Sequence, residues 1–100
     1  MTTTSQQVAE TILIQLGGRK FVAMTGASKF LAIKDGLSFF IPQSKGIRKV
    51  TIVLGGNDLY RVDFYGVRKD VITYKGGSTD VYFDRLQDIF TEATGLYTHL

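Results

Sequence analysis

Between Arg48 and Lys75 apolar and polar residues alternate with a period of two through three successive stretches. Val50, Ile52 and Leu54 alternate with Thr51 and Val53. Tyr60, Val62 and Phe64 alternate with Arg61, Asp63 and Tyr65, and Ile72 and Tyr74 alternate with Val71, Thr73 and Lys75. This period, carried by β-branched and aromatic residues, predicts a three-strand antiparallel meander buried on one side. Pairing Leu54 with Tyr60 leaves a loop from Gly55 to Leu59, and pairing Phe64 with Ile72 leaves a loop from Gly66 to Asp70. The expected outer face then carries Lys49, Arg61, Tyr65, Thr73 and Lys75. A one-residue slip at either loop would turn an apolar set to water.

Upstream, Thr4 to Leu16 reads as a helix. Val8, Ala9, Ile12, Leu13 and Leu16 fall on one stripe at helical spacing. Thr4 and Gln7 have capping-box spacing, and Gly17-Gly18 supplies the stop. Arg19 to Thr25 reads as extended, broken by Gly26-Ala27-Ser28. Phe30 to Pro42 reads as a hairpin closed by a type I′ turn at Asp35-Gly36, which pairs Ile33 with Ser38 and Phe30 with Ile41. Phe30, Ala32, Phe39 and Ile41 would share one face, with Leu31, Ile33 and Phe40 on the other. Both faces are apolar, so the hairpin is covered twice or offers Leu31 and Phe40 to a partner. Pro42 suggests an edge or exit position. Gln43 to Ile47 reads as a basic loop. After a break at Gly76-Gly77-Ser78-Thr79, a second helix is expected from Asp80 to Thr94. Its stripe would be Tyr82, Leu86, Ile89, Phe90 and Ala93, with Gly95 closing it and Leu96 packing back. The expected fold is a single α+β domain, an antiparallel sheet of about five strands with an N-terminal and a C-terminal helix.

Composition narrows the chemistry. The chain has 100 residues, is 44% hydrophobic and 21% charged, and lacks cysteine, which suits one globular domain and leaves no disulfide or thiolate metal site. No apolar run approaches the ~20 residues needed to span a bilayer. Met1 to Gln7 is polar without a basic start, unlike a secretory leader. A cytoplasmic protein without a membrane partner is expected. His99 stands alone and close to the end of the sequence, which disfavours a Ser–His–Asp arrangement or a histidine metal site. Gly18, Gly26 and Lys29 do not have phosphate-loop spacing, and turn glycines explain them better. Asp80, Asp84 and Asp88 have magnesium-ligand chemistry but the spacing of a helix surface. No catalytic residue, no metal site and no cofactor are expected, and the chain does not read as an enzyme.

Charge is segregated. The net charge is +3, and residues 19 to 49 hold Arg19, Lys20, Lys29, Lys34, Lys45, Arg48 and Lys49 against Asp35 alone. Residues 80 to 100 hold Asp80, Asp84, Asp88 and Glu92 against Arg85. On a helix these four acids form a like-charged i, i+4 ladder, either a solvated face or a docking stripe for a basic surface. On the outer sheet face Tyr65 would sit among Lys49, Arg61 and Lys75, with Arg68 and Lys69 in the adjoining loop. An aromatic ring among cations is how a sheet holds a single strand, the ring stacking a base while the cations follow phosphates. Asp63 in the middle of the patch opposes that reading. The alternative is a polar face with an ordinary tyrosine.

Three phrases add a resemblance: Gln15-Leu-Gly-Gly-Arg-Lys-Phe-Val-Ala-Met-Thr-Gly-Ala27, Asn57-Asp-Leu-Tyr60 and Thr94-Gly-Leu-Tyr97. They resemble small, mostly uncharacterised proteins encoded by tailed bacteriophages. The resemblance implies a viral accessory protein acting in the host cytoplasm and transfers no functional residue. The expected function is non-catalytic nucleic-acid binding, to a single strand, through Lys49, Arg61, Tyr65, Arg68, Lys69 and Lys75. The alternative is a protein-interaction module, such as an inhibitor of a host protein, acting through Leu31 and Phe40 or through Asp80, Asp84, Asp88 and Glu92. Partners are thus a nucleic acid or a host protein, and self-association is expected from the doubly apolar hairpin.

Overall fold

A computed structural model describes residues 5–98 and lays its helices against one face of a five-stranded antiparallel sheet. The order along the chain is α1 (Ser5–Leu16), α2 (Arg19–Thr25), β1 (Ser28–Ile33), β2 (Gly36–Ser44), β3 (Ile47–Leu54), β4 (Tyr60–Arg68), β5 (Val71–Val81), a 3₁₀ turn (Phe83–Arg85) and α3 (Leu86–Thr94). The strands form a plain meander, β1-β2-β3-β4-β5, so each hydrogen-bonds its sequence neighbour. The α+β class with helical elements at both ends is as expected from the sequence.

The core forms because apolar side chains of β2, β3 and β4 on one face meet the stripes of α1, α2 and α3. Leu37, Phe39, Ile41, Val50, Ile52, Val62 and Phe64 are buried against Val8, Ile12, Leu16, Phe21, Leu86 and Phe90. At its centre Phe21 stands edge-on to both Phe39 and Phe90, with ring centroids 5.5 and 5.2 Å away. Such contacts add ~0.5–1.5 kcal/mol each beyond the area they bury.

The two helices that carry these rings end alike. In Phe21-Val-Ala-Met-Thr25-Gly26 the Thr25 hydroxyl donates to the Phe21 carbonyl at 2.7 Å, and Gly26, at φ 73°, closes on Val22. In Phe90-Thr-Glu-Ala-Thr94-Gly95 the Thr94 hydroxyl donates to the Phe90 carbonyl at 2.8 Å, and Gly95, at φ 75°, closes on Thr91. Thr25 and Thr94 are both buried, and each hydroxyl also accepts the amide two residues on, Ala27 or Leu96. Helix α1 ends as Gly17-Gly18 predicted. The Gly18 amide donates to Leu13 and that of Gly17 to Ile14, which is the Schellman pairing. Gln87 of α3 donates to the Leu16 carbonyl at 2.9 Å and joins the two helices.

Several expectations are corrected. Arg19 to Thr25 is helical rather than extended, because Phe21 and Thr25, four apart, both enter the core. The β1–β2 turn lies at Lys34-Asp35 rather than Asp35-Gly36, and Ile33 pairs with Gly36. Asp35 takes the left-handed conformation (φ 57°), and Gly36 is needed for contact, since a Cβ there would strike the Ile52 carbonyl. This shift moves the partner by two residues, so the division of faces survives: Phe39 still packs on Phe30, and Leu31 still points away. The basic loop at Gln43 to Ile47 is strand ending in a tight turn, Lys45-Gly46, with both φ values positive. Pro42 sits within β2, beyond the last β1 pair at Phe40.

The larger correction is in β4–β5. Leu54 pairs with Tyr60 as expected, but β4 runs on to Arg68 and turns at Lys69-Asp70, so Tyr65 pairs with Tyr74 and Val67 with Ile72. The offset is odd and reverses β5. Ile72 and Tyr74 face outward, 55% and 54% exposed. The Gly76–Thr79 stretch expected as a break is strand, with a bulge between the Tyr65 and Phe64 pairings, and β5 continues to Val81. The last helix therefore starts later, at Leu86, and Tyr82 lies exposed outside its stripe. The Thr4 cap and His99 lie outside the described residues. Thr98 is 1% exposed, so that part of the tail is seated in the fold.

Phe90→Ala should cost ~3–5 kcal/mol in urea unfolding, as other large aromatic truncations in cores do. Lys69 and Asp70 both hold positive φ without glycine (48° and 67°). Replacing the pair with Asn-Gly should raise stability by about 1 kcal/mol, measured in the same way.

Candidate functional site

The outer face of the sheet, opposite the described helices, carries one row of side chains across four strands. Phe40 of β2 pairs with Lys49 of β3, Lys49 with Tyr65 of β4, and Tyr65 with Tyr74 of β5. The Lys49 ammonium lies 5.7 Å from the centre of the Phe40 ring, and that of Lys29 lies 5.6 Å from it. Both are within cation–π range. At the other end Tyr65 and Tyr74 meet at 65°, their centroids 5.6 Å apart. Aromatic rings thus bracket the row, with two cations at the Phe40 end.

A second row explains how Asp63 is tolerated there. Asp63 is 8% exposed and sits between Thr51 and Gly77. Its carboxylate accepts from Arg61 Nε at 3.0 Å and from the Tyr74 hydroxyl at 3.1 Å. Gly77 makes the second bond possible. A Cβ on Gly77 would lie 2.6 Å from Asp63 Oδ1 and 2.9 Å from the Tyr74 oxygen. The bare glycine leaves the diagonal along which Tyr74 reaches the carboxylate. Tyr74 is pushed above the ordinary tyrosine value, first by its hydrogen bond to Asp63 and then by burial, and Arg61 is held up by the same carboxylate. The acid at the centre of the face is therefore paired, and it orients the Tyr74 ring.

The structure brings together Lys49, Arg61 and Tyr65 from the expected nucleic-acid set. Arg68 and Lys75 are on the other side of the sheet, where both line a cleft with Gly66 and Thr73, and Lys69 is in the turn. The reason is the reversed register: the turn at Lys69-Asp70 faces Tyr74 outward, so Lys75 beside it points toward the helices, as Arg68 does beside Val67. Leu31 and Phe40, expected as a protein-docking pair, lie on the same outer face as Tyr65. Leu31 is 62% exposed and Phe40 is half-buried beneath its lysines. The acidic ladder does not form. Asp80 is in β5 and accepts from Asn57 at 3.3 Å, Asp84 is in the 3₁₀ turn, and only Asp88 and Glu92 are in α3. Asp88 also pairs with Arg85 at 3.6 Å.

Sequence reasoning missed Tyr74, Lys29 and Gly77. Tyr74 was visible as a strand aromatic, but its face depends on the turn position. Lys29 reaches Phe40 from β1, where the β1–β2 register is broken between Ser28 and Leu31. Among the described residues no three histidine, aspartate or glutamate side chains are placed to hold a metal ion, and no helix is long and apolar enough to cross a membrane. No protein-family model, curated protein or solved structure matches the chain.

The tyrosine–carboxylate bond sets a pH dependence. Neutral Tyr74 donates the proton, and its pKa in the fold lies above the ordinary value of 10.0. The bond's contribution to stability is therefore complete below about pH 10 and is lost as pH rises through the folded pKa. Alkaline titration followed at the Tyr74 ring carbon by NMR should show late ionisation. Gly77→Ala, which blocks the diagonal, should bring that ionisation back toward the ordinary value.

Proposed function

We propose that the outer sheet face binds single-stranded nucleic acid. The observation that carries this reading is the cross-strand row Phe40–Lys49–Tyr65–Tyr74, with Lys29 beside it. Exposed rings stack bases whatever their identity, and lysines at the same level follow the backbone phosphates. Tyr65 and Tyr74 are the stacking residues, Lys29 and Lys49 the phosphate contacts. Arg61 acts through Asp63 to position Tyr74, since its Nε is already engaged. In this reading the chain is a small non-catalytic accessory protein, of the kind its resemblance to tailed-phage proteins implies, working in the host cytoplasm.

A second reading uses the same face differently. Leu31 and Ile72 stand 62% and 55% exposed there. Apolar groups at that exposure favour a protein partner, either a host protein or a second copy of the chain. The two readings part on salt: phosphate contacts weaken as salt rises, because releasing counterions then gains less, while apolar docking holds.

Labelled single-stranded oligonucleotides titrated at two salt concentrations decide between them. Binding should fall with salt at a slope of about −0.7 per phosphate contact. Tyr65→Ala and Tyr74→Ala should each cost ~1–3 kcal/mol. Lys49→Gln should weaken all sequences alike and flatten the slope by about one contact. Lys75→Gln should leave binding unchanged. Absence of binding at low salt, or binding indifferent to both tyrosines, overturns the reading.

A further inference from the structure

On the helix side of the sheet a cleft of about 420 Å³ opens between β5, the β2–β3 turn and α3. Phe64, Ile89 and Ala93 form its apolar wall, and Lys45, Lys75 and Glu92 supply its charges. The cleft is open because β5 has no side chain to fill it at Gly76, where a Cβ would meet nothing within 4 Å. That volume lies within the range of ~300–1,000 Å³ typical of small-molecule sites.

Both lysines are exposed, and the stem of each passes over a glycine. The stem of Lys75 lies on Gly66, where an added Cβ would fall 2.9 Å from Lys75 Cε. The stem of Lys45 lies on Gly95 in the same manner, 3.1 Å from the position of a Cβ there. The backbone geometry that delivers them is also specific. Lys75 is the residue inserted by the β5 bulge, and Lys45 holds φ 52° in its turn. Among the described residues neither lysine nor Glu92 forms an ion pair. Two unneutralised ammonium groups thus line one apolar-walled cleft, with a single carboxylate across it on α3.

We propose that this cleft is a second ligand site, independent of the outer face, and that it takes a small organic phosphate monoester. The phosphate lies between Lys45 and Lys75, which serve as point charges. The apolar body packs on Ile89 and Ala93 over Phe64, and Glu92 accepts a hydroxyl donor. A body without phosphate leaves the lysines unpaired, and inorganic phosphate leaves the wall uncovered, so neither half should bind as well as the whole.

Phenyl phosphate, titrated into the intact chain and followed by amide NMR shifts, tests the site. Saturable shifts are expected at Gly76, Gly77 and Ala93, with a dissociation constant of about 1 mM or below. Phenol and inorganic phosphate should each bind more weakly. Lys45→Gln and Lys75→Gln should each weaken binding roughly tenfold or more, the scale of one charge-assisted contact. Ala93→Phe, which fills the cleft, should abolish it, and dispersed spectra of the variants report that they fold. Tyr74→Ala should leave it intact while oligonucleotide binding falls, so the two sites fail separately. No saturable shift up to roughly 10 mM, shifts that ignore both lysine changes, or shifts lost with Tyr74 would each overturn the proposal.

Discussion

Edge-on packing of Phe21 against Phe39 and Phe90 is the contact on which the remaining arrangement depends. It joins α2 and α3 to the same face of β2, and the stripe of α1 closes over the same core. Burying these rings yields more than spreading the helices over two faces would, because one continuous core leaves fewer half-covered apolar groups. The consequence is one-sided. All the described helical cover lies on one side, and the other side of the sheet is left to water or to a ligand.

What stands on that open face is decided in the β4–β5 hairpin, by the turn at Lys69-Asp70 and by a bulge beyond Tyr74. The bulge between the Tyr65–Tyr74 and Phe64–Gly76 pairs adds one residue to β5. On one side of it Tyr74 faces out and joins Tyr65; at the bulge Lys75 is turned inward onto Gly66. Beyond it Gly77 faces out and clears the path from Tyr74 to Asp63. The turn thus adds an aromatic to the outer face and removes a cation from it, and the inserted residue turns Gly76 inward and Gly77 outward.

The open face also merges two surfaces that look separate along the chain. Leu31 and Phe40 come from the first hairpin and Arg61 and Tyr65 from the meander, yet β3 sets them side by side through Lys49. Charge and apolar area are interleaved there rather than segregated. That is why nucleic acid and a protein partner compete as readings of one surface, and why salt dependence separates them.

From its own pattern the chain specified the class of fold, the first helix with its glycine stop, the β3–β4 register and the inward set Val50, Ile52, Val62 and Phe64. These follow from local periodicity, in which each residue's face depends only on its neighbours. Lys49, Arg61 and Tyr65 were legible as outward residues for the same reason. Tertiary structure decided the rest. Whether Arg19–Thr25 coils or extends depends on where Phe21 finds a partner. Whether Tyr74 faces out and Lys75 in depends on a turn at Lys69-Asp70 with no glycine to announce it. The acidic ladder requires Asp80 and Asp84 to be α-helical, but pairing of Val81 with Tyr60 keeps Asp80 in the sheet and Asp84 falls in the 3₁₀ turn. Strand register has a period of two, so one displaced turn reverses an entire face, and that displacement is settled by packing across the sheet rather than by the residues of the turn.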